Sequence, residues 1–433
     1  MMRGKMSNIM QQLKNTAYQQ SSAQLLLFFM SWGIWWSFFQ LWLSSETRGL
    51  GFNGSEIGTI YSVNSAVTLV LMLLYGTMQD KLRTRRTLVI GVAVLMSLTG
   101  PFFMWAYWPL LQSESLYIVG VGLGALFIGA AFVGSCPLFE ALAERMSRKH
   151  GFEYGQARAW GSFGYAIVAL VAGFNFTVNP AINFWLGSAF GVLLLFILVL
   201  WKEPEAPDTE FTNTTPSFKE MVSVLNVPSL WVVIVLVFFT WTFYTVFDQQ
   251  MFPQFYTSLF QDAATGERTY GILNSVQVFV EALMMGVVPI YMRKVGVKNT
   301  LMTGFAVMAL RILGCAIFAD PVIISFVKMF HALEVPLCIL PIFRYFTLHF
   351  PTKISATLYM VGFQVASQVG NVVLSPVLGA MRDRLGFHPT FYVIVGFVVA
   401  SATFGWCALK GDKEDVQGDP FFTDKEMAKG IEK

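Results

Sequence analysis

The chain has 433 residues, 55% of them hydrophobic and 13% charged, with a net charge of +3 and a mean hydropathy of +0.57. Soluble globular domains carry about 25% charged residues, so this composition excludes a water-soluble globule and points to an all-α membrane protein. The small positive balance implies no nucleic-acid partner.

About twenty polar residues precede the first apolar segment and no small-residue cleavage site follows it, so it is expected to remain as a helix and not to be removed as a signal peptide. Twelve apolar segments recur, each near the roughly twenty residues a helix needs to cross a hydrocarbon core about 30 Å thick. They lie near 24–43, 57–78, 87–108, 117–142, 160–177, 181–201, 229–252, 269–291, 300–318, 321–346, 354–380 and 389–409. The widest break, residues 202–228, is rich in Pro, Thr and acids and divides the spans six and six. The expected organisation is an N-terminal tail (1–23), a six-helix bundle (24–201), a central loop (202–228), a second six-helix bundle (229–409) and a C-terminal tail (410–433). Residues 1–20 and 411–433 read as mobile ends.

Lys and Arg mark the cytoplasmic loops of membrane proteins. With the N-terminus inside, the inner connections hold Lys81, Arg83, Arg85, Arg86, Arg145, Arg148, Lys149, Arg158, Arg293, Lys294, Lys298, Arg344 and Lys353. The outer ones hold Arg48, Arg268, Arg382 and Arg384. Both termini are therefore expected in the cytoplasm, with Arg382 and Arg384 against the trend. Cys136, Cys315, Cys338 and Cys407 all fall in spans, which argues for reduced thiols.

Between the second and third spans, YGTMQDKLRTRR (75–86) sets a Gly, an Asp four residues on and a basic cluster. A generic basic loop with a helix cap would read the same way. At the fourth and fifth spans, Glu140 and Arg158 are equidistant from Lys149 at the centre of their connection, so a hairpin brings them level. An Arg fork and two carboxylate acceptors suit vicinal hydroxyls, though a structural ion pair at the membrane edge also fits. Trp32, Trp35 and Trp36 stand at helical spacing in the first span and read as packing residues.

Asp248, Glu281, Arg311, Lys328, His331 and Glu334 all fall inside spans of the second half. Unpaired at the bilayer centre, six such groups would cost roughly 15–20 kcal/mol, beyond the roughly 5–15 kcal/mol stability of a typical protein. They must be paired, neutralised or wet. Asn274 and Gln277 precede Glu281 by seven and four residues, making a polar stripe on the eighth span. KMFHALEVP (328–336) spaces Lys328, His331 and Glu334 by three, so they cover an arc of about 120° on one helix face. Pro336 frees a carbonyl and can bend the helix beside them. A carboxylate in that setting is expected to bind and release a proton.

The 75–86 stretch resembles the loop signature of the major facilitator superfamily, and GAMRDRLG (379–386) repeats part of it after the eleventh span. K-x-x-H-x-x-E-V-P, Arg311 in MALRILG, VFDQQ and EYGQAR together resemble the oligosaccharide:proton symporters, the lactose permease branch of that superfamily, over about residues 24–405. SWGIWWS, IGTIYSVN, LTGPF, ARAWGSFGYAI and HALEVPLC resemble its sucrose-transporting members.

The resemblance implies the major facilitator fold, twelve helices in two pseudo-symmetric six-helix bundles, in a bacterial inner membrane. It implies a symporter that imports a disaccharide with a proton, sucrose first, with lactose, melibiose, raffinose and fructo-oligosaccharides as alternatives. Carried onto this chain, it assigns Glu140 and Arg158 to sugar recognition and Tyr165 to the aromatic position that stacks on the sugar. Tyr in place of the lactose permeases' Trp favours a non-galactoside. The family's acid on the eighth span falls at Val278 here, so Glu281, with Asn274 and Gln277, is its expected substitute. Thr245 and Ser367 replace one charge pair together, while Asp248 and Lys328 are expected to persist as another. Glu334 is the expected proton carrier, Arg311 the cation that promotes its deprotonation, and His331 the link toward the sugar. Apart from the proton as coupling ion, no cofactor or metal is expected, and a monomer in contact with lipid should suffice.

Other classes fit less well. An ATP-driven pump would need a G-x-x-x-x-G-K-[ST] loop, and none occurs. A membrane glycosyltransferase or hydrolase would be expected to need a metal or lipid-phosphate site and a sizeable outer loop, and neither is visible. A non-transporting sugar sensor on the same fold stays open.

Overall fold

The computed structural model describes residues 15–81, 85–201 and 218–420. Residues 82–84 of the basic motif, the side chains of 76–86, most of the central loop and the outermost parts of both tails lie outside the described residues.

The described chain is helical throughout and contains no strand. Eleven helices are long and apolar enough to cross a membrane, and a bent pair makes a twelfth. They are α1 (Thr16–Ser44), α2 (Gly54–Tyr75), α3 (Thr87–Ser97 and Thr99–Gln112, bent by 47°), α4 (Tyr117–His150), α5 (Tyr154–Val178) and α6 (Ala181–Leu200). The second half supplies α7 (Pro228–Ser258), α8 (Ala263–Val295), α9 (Val297–Ile317), α10 (Pro321–His349), α11 (Thr357–Leu385) and α12 (Phe387–Ala408). The chain is thus a multi-pass membrane protein.

Local chemistry sets the helix ends. Asn15 accepts from the N–H of Ala17 and Tyr18, so α1 begins eight residues before the apolar run that announced it. Asp262 and Asp320 cap α8 and α10 in the same way, satisfying N–H groups that a helix start leaves without partners. Gly151, at φ +69°, ends α4 in the left-handed conformation that glycine adopts without strain. At α1 and α8 the capped polar turns make the span longer than its apolar run.

Several spans contain wide π-helical turns, including 129–133 in α4, 238–242 and 247–251 in α7, and 360–365 in α11. Such turns recur at functional sites. In α10, regular helix stops at Met329 and resumes at His331.

The described residues fall into two compact units, one of 15–51, 67–201 and 267–278, the other of 52–66, 218–266 and 279–420. In the first, α5 lies on α1 along small residues: a Cβ added to Gly161 would come within 2.5 Å of Phe29, and one at Gly164 within 2.8 Å of Leu26. Small residues let membrane helices approach closely. Trp35 is 1% exposed among Phe39, Phe103 and Phe132, the packing role expected of it. In the second unit, Gly304 brings α9 against the α10 backbone at Leu337, and Gly370 brings α11 against Thr242 of α7.

The C-terminal tail departs from expectation. Residues 410–420 fold back on the ends of α9 and α10. Asp412 accepts from the N–H of Val297 (2.7 Å) and Lys298 (3.2 Å), and the N–H groups of Gly418 and Asp419 donate to the carbonyls of Leu348 and Thr347. Arg344 donates to the carbonyls of Asp419 and Pro420. Read as part of a mobile end, residues 411–420 instead tie the start of α9 to the end of α10.

Candidate functional site

The first unit holds a polar cluster on α4 and α5. The αL turn at Gly151 returns the chain so that Arg158 Nε donates to Glu140 Oε1 at 2.6 Å. Arg158 Nη1 lies 3.4 Å from Ser162 Oγ, one turn on, and the guanidinium sits 4.2 Å above the Phe29 ring of α1. Both side chains stay about one-third exposed (30% and 34%), so the pair is oriented but can still reach a ligand. Tyr165, two turns beyond Arg158, lies over Gly33: a Cβ there would stand 2.6 Å from its ring. Glycine at 33 therefore makes the room that the aromatic ring occupies.

Two contributors escaped the sequence reading. Ser162 follows Arg158 by four residues, a spacing that could have flagged it. Phe29 lies on another helix, in an apolar run that hides it. Trp32 stacks beside Phe29 with ring centroids 6.1 Å apart.

The second unit gathers the charges of α7, α9 and α10. Arg311 and Glu334 have no solvent exposure, and Arg311 Nη1 donates to Glu334 Oε2 at 3.1 Å. Arg311 Nη2 donates to Asp248 Oδ1 at 2.5 Å, and the guanidinium stands 5.2 Å from the Phe247 ring and 5.0 Å from that of Phe252. Among the described residues no donor completes a hydrogen bond to Glu334 Oε1. The π turn at 247–251 carries Asp248, and the break in α10 falls immediately before His331.

His331 Nδ1 lies 3.1 Å from Arg311 Nη1 and is hydrogen-bonded to the Tyr244 hydroxyl. The same Nδ1 lies 3.4 Å from Asp248 Oδ1, so the imidazole sits among a guanidinium, a phenol and a carboxylate. Nε2 faces Glu281 Oε2 at 3.8 Å. Tyr244, four residues before Asp248 and stacked on the His331 ring, was not singled out in the sequence; its one-turn spacing from Asp248 was the available signal.

The expected Asp248–Lys328 pair takes a broader form. Arg311 holds Asp248, while the Lys328 ammonium is buried 5.3 Å above the Phe252 ring. Sequence reading paired one cation with each acid, whereas the α9 guanidinium, with its planar fork, serves two. Arg311 meets both Asp248 and Glu334, and Glu281 lies beside His331.

On α8, Asn274 and Gln277 are buried (8% and 3% exposed) and Glu281 is partly exposed. Their spacing puts the three on one helix face. Among the described residues no group of three or more His, Cys, Asp or Glu side chains is arranged to hold a metal ion.

The family description "LacY proton/sugar symporter" matches residues 10–418. The chain is 42% identical to a sucrose permease of Escherichia coli, over 93% of this chain and 96% of that one. It is 32% identical to a raffinose permease of the same organism (90% and 92% covered) and 31% identical to a lactose permease of Klebsiella oxytoca (87% and 90%). Among solved structures, the nucleoside transporter NupG superposes with a TM-score of 0.77 at 16% identity, covering 91% of this chain and 99% of that one. A POT family transporter superposes at 0.69 and 12%, covering 91% and 96%. At those identities the structures speak for the fold alone.

Proposed function

The chain belongs to the LacY proton/sugar symporter family, and we propose that it imports sucrose with one proton by alternating access. It is a transporter and not an enzyme. The observation that carries the coupling reading is the fully buried Arg311, whose guanidinium is shared between Glu334 and Asp248.

Glu334 is the proton carrier. It has no contact with solvent, so its ionised form depends on Arg311, its direct ion-pair partner at 3.1 Å, with His331 Nδ1 at 3.7 Å beside it. Removing that partner's full attention, by a shift of α9 against α10 or by drawing Arg311 toward Asp248, makes the neutral acid the favoured form. Restoring it expels the proton. His331 and Tyr244 hold the geometry between these states, and Glu281 places a third carboxylate beside the imidazole.

Glu140 and Arg158 bind the sugar. The fixed Arg158 fork and the Glu140 acceptors meet adjacent hydroxyls, and the Tyr165 ring offers a face for a pyranose or furanose ring. Asn274 and Gln277 supply further hydrogen-bonding groups on α8. Sucrose leads because the relative at 42% identity is a sucrose permease and because Tyr165 stands where lactose permeases carry Trp. Raffinose, lactose and melibiose are the runners-up within the family.

The basic inner loops support cytoplasmic termini in a bacterial inner membrane, with a lipid-embedded monomer sufficient for transport and the proton as the only coupling ion. One proton moving down 100 mV releases about 2.3 kcal/mol, enough for roughly forty-fold accumulation of a neutral solute. Uptake of labelled sucrose in energised cells tests this. Accumulation that collapses with a protonophore supports the reading, and binding without uphill uptake would favour a sugar sensor.

A further inference from the structure

We infer, resting on the reading of Glu334 as proton carrier, that Gly304 of α9 is a positioning residue for the coupling step: lacking a side chain, it seats α9 on the Leu337 carbonyl of α10, and that seat sets the Arg311–Glu334 contact. Two prolines inside α10, Pro336 and Pro341, are the starting point.

The α10 backbone is weakly tied around its acid. Regular helix stops at Met329 and resumes at His331, and Glu334 lies in the first turn of the new segment, its N–H donating to the Phe330 carbonyl at 3.0 Å. Pro336 and Pro341 have no N–H to return to Ala332 and Leu337, four residues back. With a break before it and two helical bonds missing beside it, Glu334 is not held in place by its own helix. A neighbour must do this.

That neighbour is α9. A Cβ on Gly304 would stand 2.7 Å from the Leu337 carbonyl oxygen and 2.8 Å from Cys338 Sγ, and one on Gly314 would stand 3.1 Å from both γ-carbons of Val327. The two glycines are ten residues apart, as Val327 and Leu337 are, so the antiparallel helices keep one register on both sides of the break at Phe330. Arg311 lies between the two contacts on α9, and Glu334 lies between them on α10. The contacts differ in stiffness. Val327 can turn its side chain to another rotamer, whereas the Leu337 carbonyl is backbone, and it is one that a proline leaves without its helical donor. Gly304 is therefore the firm seat, two turns or about 10 Å from Arg311, and it allows the close approach that small residues give membrane helices.

Glu334 is faced by Arg311 and Cys315 from α9, by Tyr244 and Asp248 from α7, and by Lys328, His331 and Cys338 from its own helix. The charge-assisted bond from Arg311 Nη1, at 3.1 Å, crosses from α9 to α10. The seat and the bond thus join the same two helices. Alanine at 304 would have to push α9 off the Leu337 carbonyl, since neither backbone can turn aside, and the displacement falls on the pair that carries the bond. The ionised acid then loses part of its partner, while the protonated acid needs none.

Equilibrium sucrose binding to the purified full-length protein, measured against pH, tests this in the parent, Gly304→Ala, Gly314→Ala and Pro341→Ala, each also in the Glu334→Gln background. In Gly304→Ala the acid should keep its proton to higher pH, so the pH at which binding falls by half should rise by about one unit, a roughly tenfold change in proton affinity. Affinity on the acid plateau should stay within about twofold of the parent's, a change below about 0.5 kcal/mol. Gly314→Ala, which meets a movable side chain, should keep the parent's profile. Pro341→Ala, whose new N–H draws the Leu337 carbonyl back into its own helix, should raise the midpoint in the same direction, and it decides the outcome if Gly304→Ala does not fold. A midpoint unmoved in the deciding variant, an equal rise in Gly314→Ala, or a loss of affinity uniform in pH would overturn the seat. In the Glu334→Gln background every profile should be flat; binding that still follows pH in Glu334→Gln alone would refute the carrier reading instead, so the two failures are distinguishable. Raffinose or lactose replaces sucrose if the parent binds that sugar instead.

Discussion

Arg311 and Glu334 lie 3.1 Å apart on neighbouring helices with no solvent exposure on either side chain. Breaking a buried pair by removing one partner is costly because it strands the other charge. The same logic makes the pair a proton switch, since neutralising the acid changes what Arg311 must balance. Glu334→Gln, a permanent mimic of the protonated acid, should abolish uphill accumulation while sparing sugar exchange. Sugar binding to the parent should weaken as pH rises and the carrier loses its proton, whereas binding to Glu334→Gln should stay flat over the same range. Equilibrium sugar binding against pH checks both; a Glu334→Gln protein that still accumulates sugar removes the residue from the coupling step.

Arg158 is held by Glu140 and seated over Phe29, and its planar fork is what a pair of hydroxyls requires. Arg158→Lys keeps the charge and loses the fork. Sugar affinity should fall about 10–100-fold, the loss of a charge-assisted hydrogen bond worth roughly 1.5–3 kcal/mol. Isothermal titration with sucrose reads this directly, and an affinity within about twofold of the parent, a change below about 0.5 kcal/mol, would place sugar recognition elsewhere.

Gly33 is empty space that Tyr165 fills. Gly33→Val should displace the ring and weaken sugar binding, with little added effect once Tyr165 is already Ala, because the two substitutions remove the same contact. Affinities of the two single variants and the double variant form the cycle. Additive losses would mean that Gly33 acts by another route.

Asp412 caps α9 from the C-terminal tail. Asp412→Ala should lower stability by about 1 kcal/mol, the usual value of a lost helix cap, and leave the pH dependence of sugar binding unchanged. Thermal unfolding in detergent measures the first and the binding titration the second. Equal stability would mean that water replaces the cap without loss.

The spans were legible because lipid admits only long apolar helices or closed barrels, and composition alone announces the former. Several ends were not, since Asn15 and Asp262 extend α1 and α8 with polar turns that hydropathy counts as loop, whereas α10 begins at Pro321 where its apolar run does. The hairpin symmetry of Glu140 and Arg158 about Lys149 was readable, because sequence distance fixes which residues of adjacent antiparallel helices come level. The sharing of Arg311 between Asp248 and Glu334 was not, because helix order along the chain does not say which of several cations faces which acid. The tail at 410–420 was misread for the same reason: Asp412 pairs with N–H groups more than one hundred residues away, and only the fold brings them near.

Sugar and proton enter together, and Glu334 couples them. The most direct measurement is the external pH of a weakly buffered, de-energised suspension of cells expressing the protein, on addition of sucrose or of lactose. Prompt alkalinisation is expected with sucrose, little with lactose, and none with sucrose in the Glu334→Gln variant. Alkalinisation that persists in Glu334→Gln, or no response of the parent to either sugar despite its presence in the membrane, would contradict it.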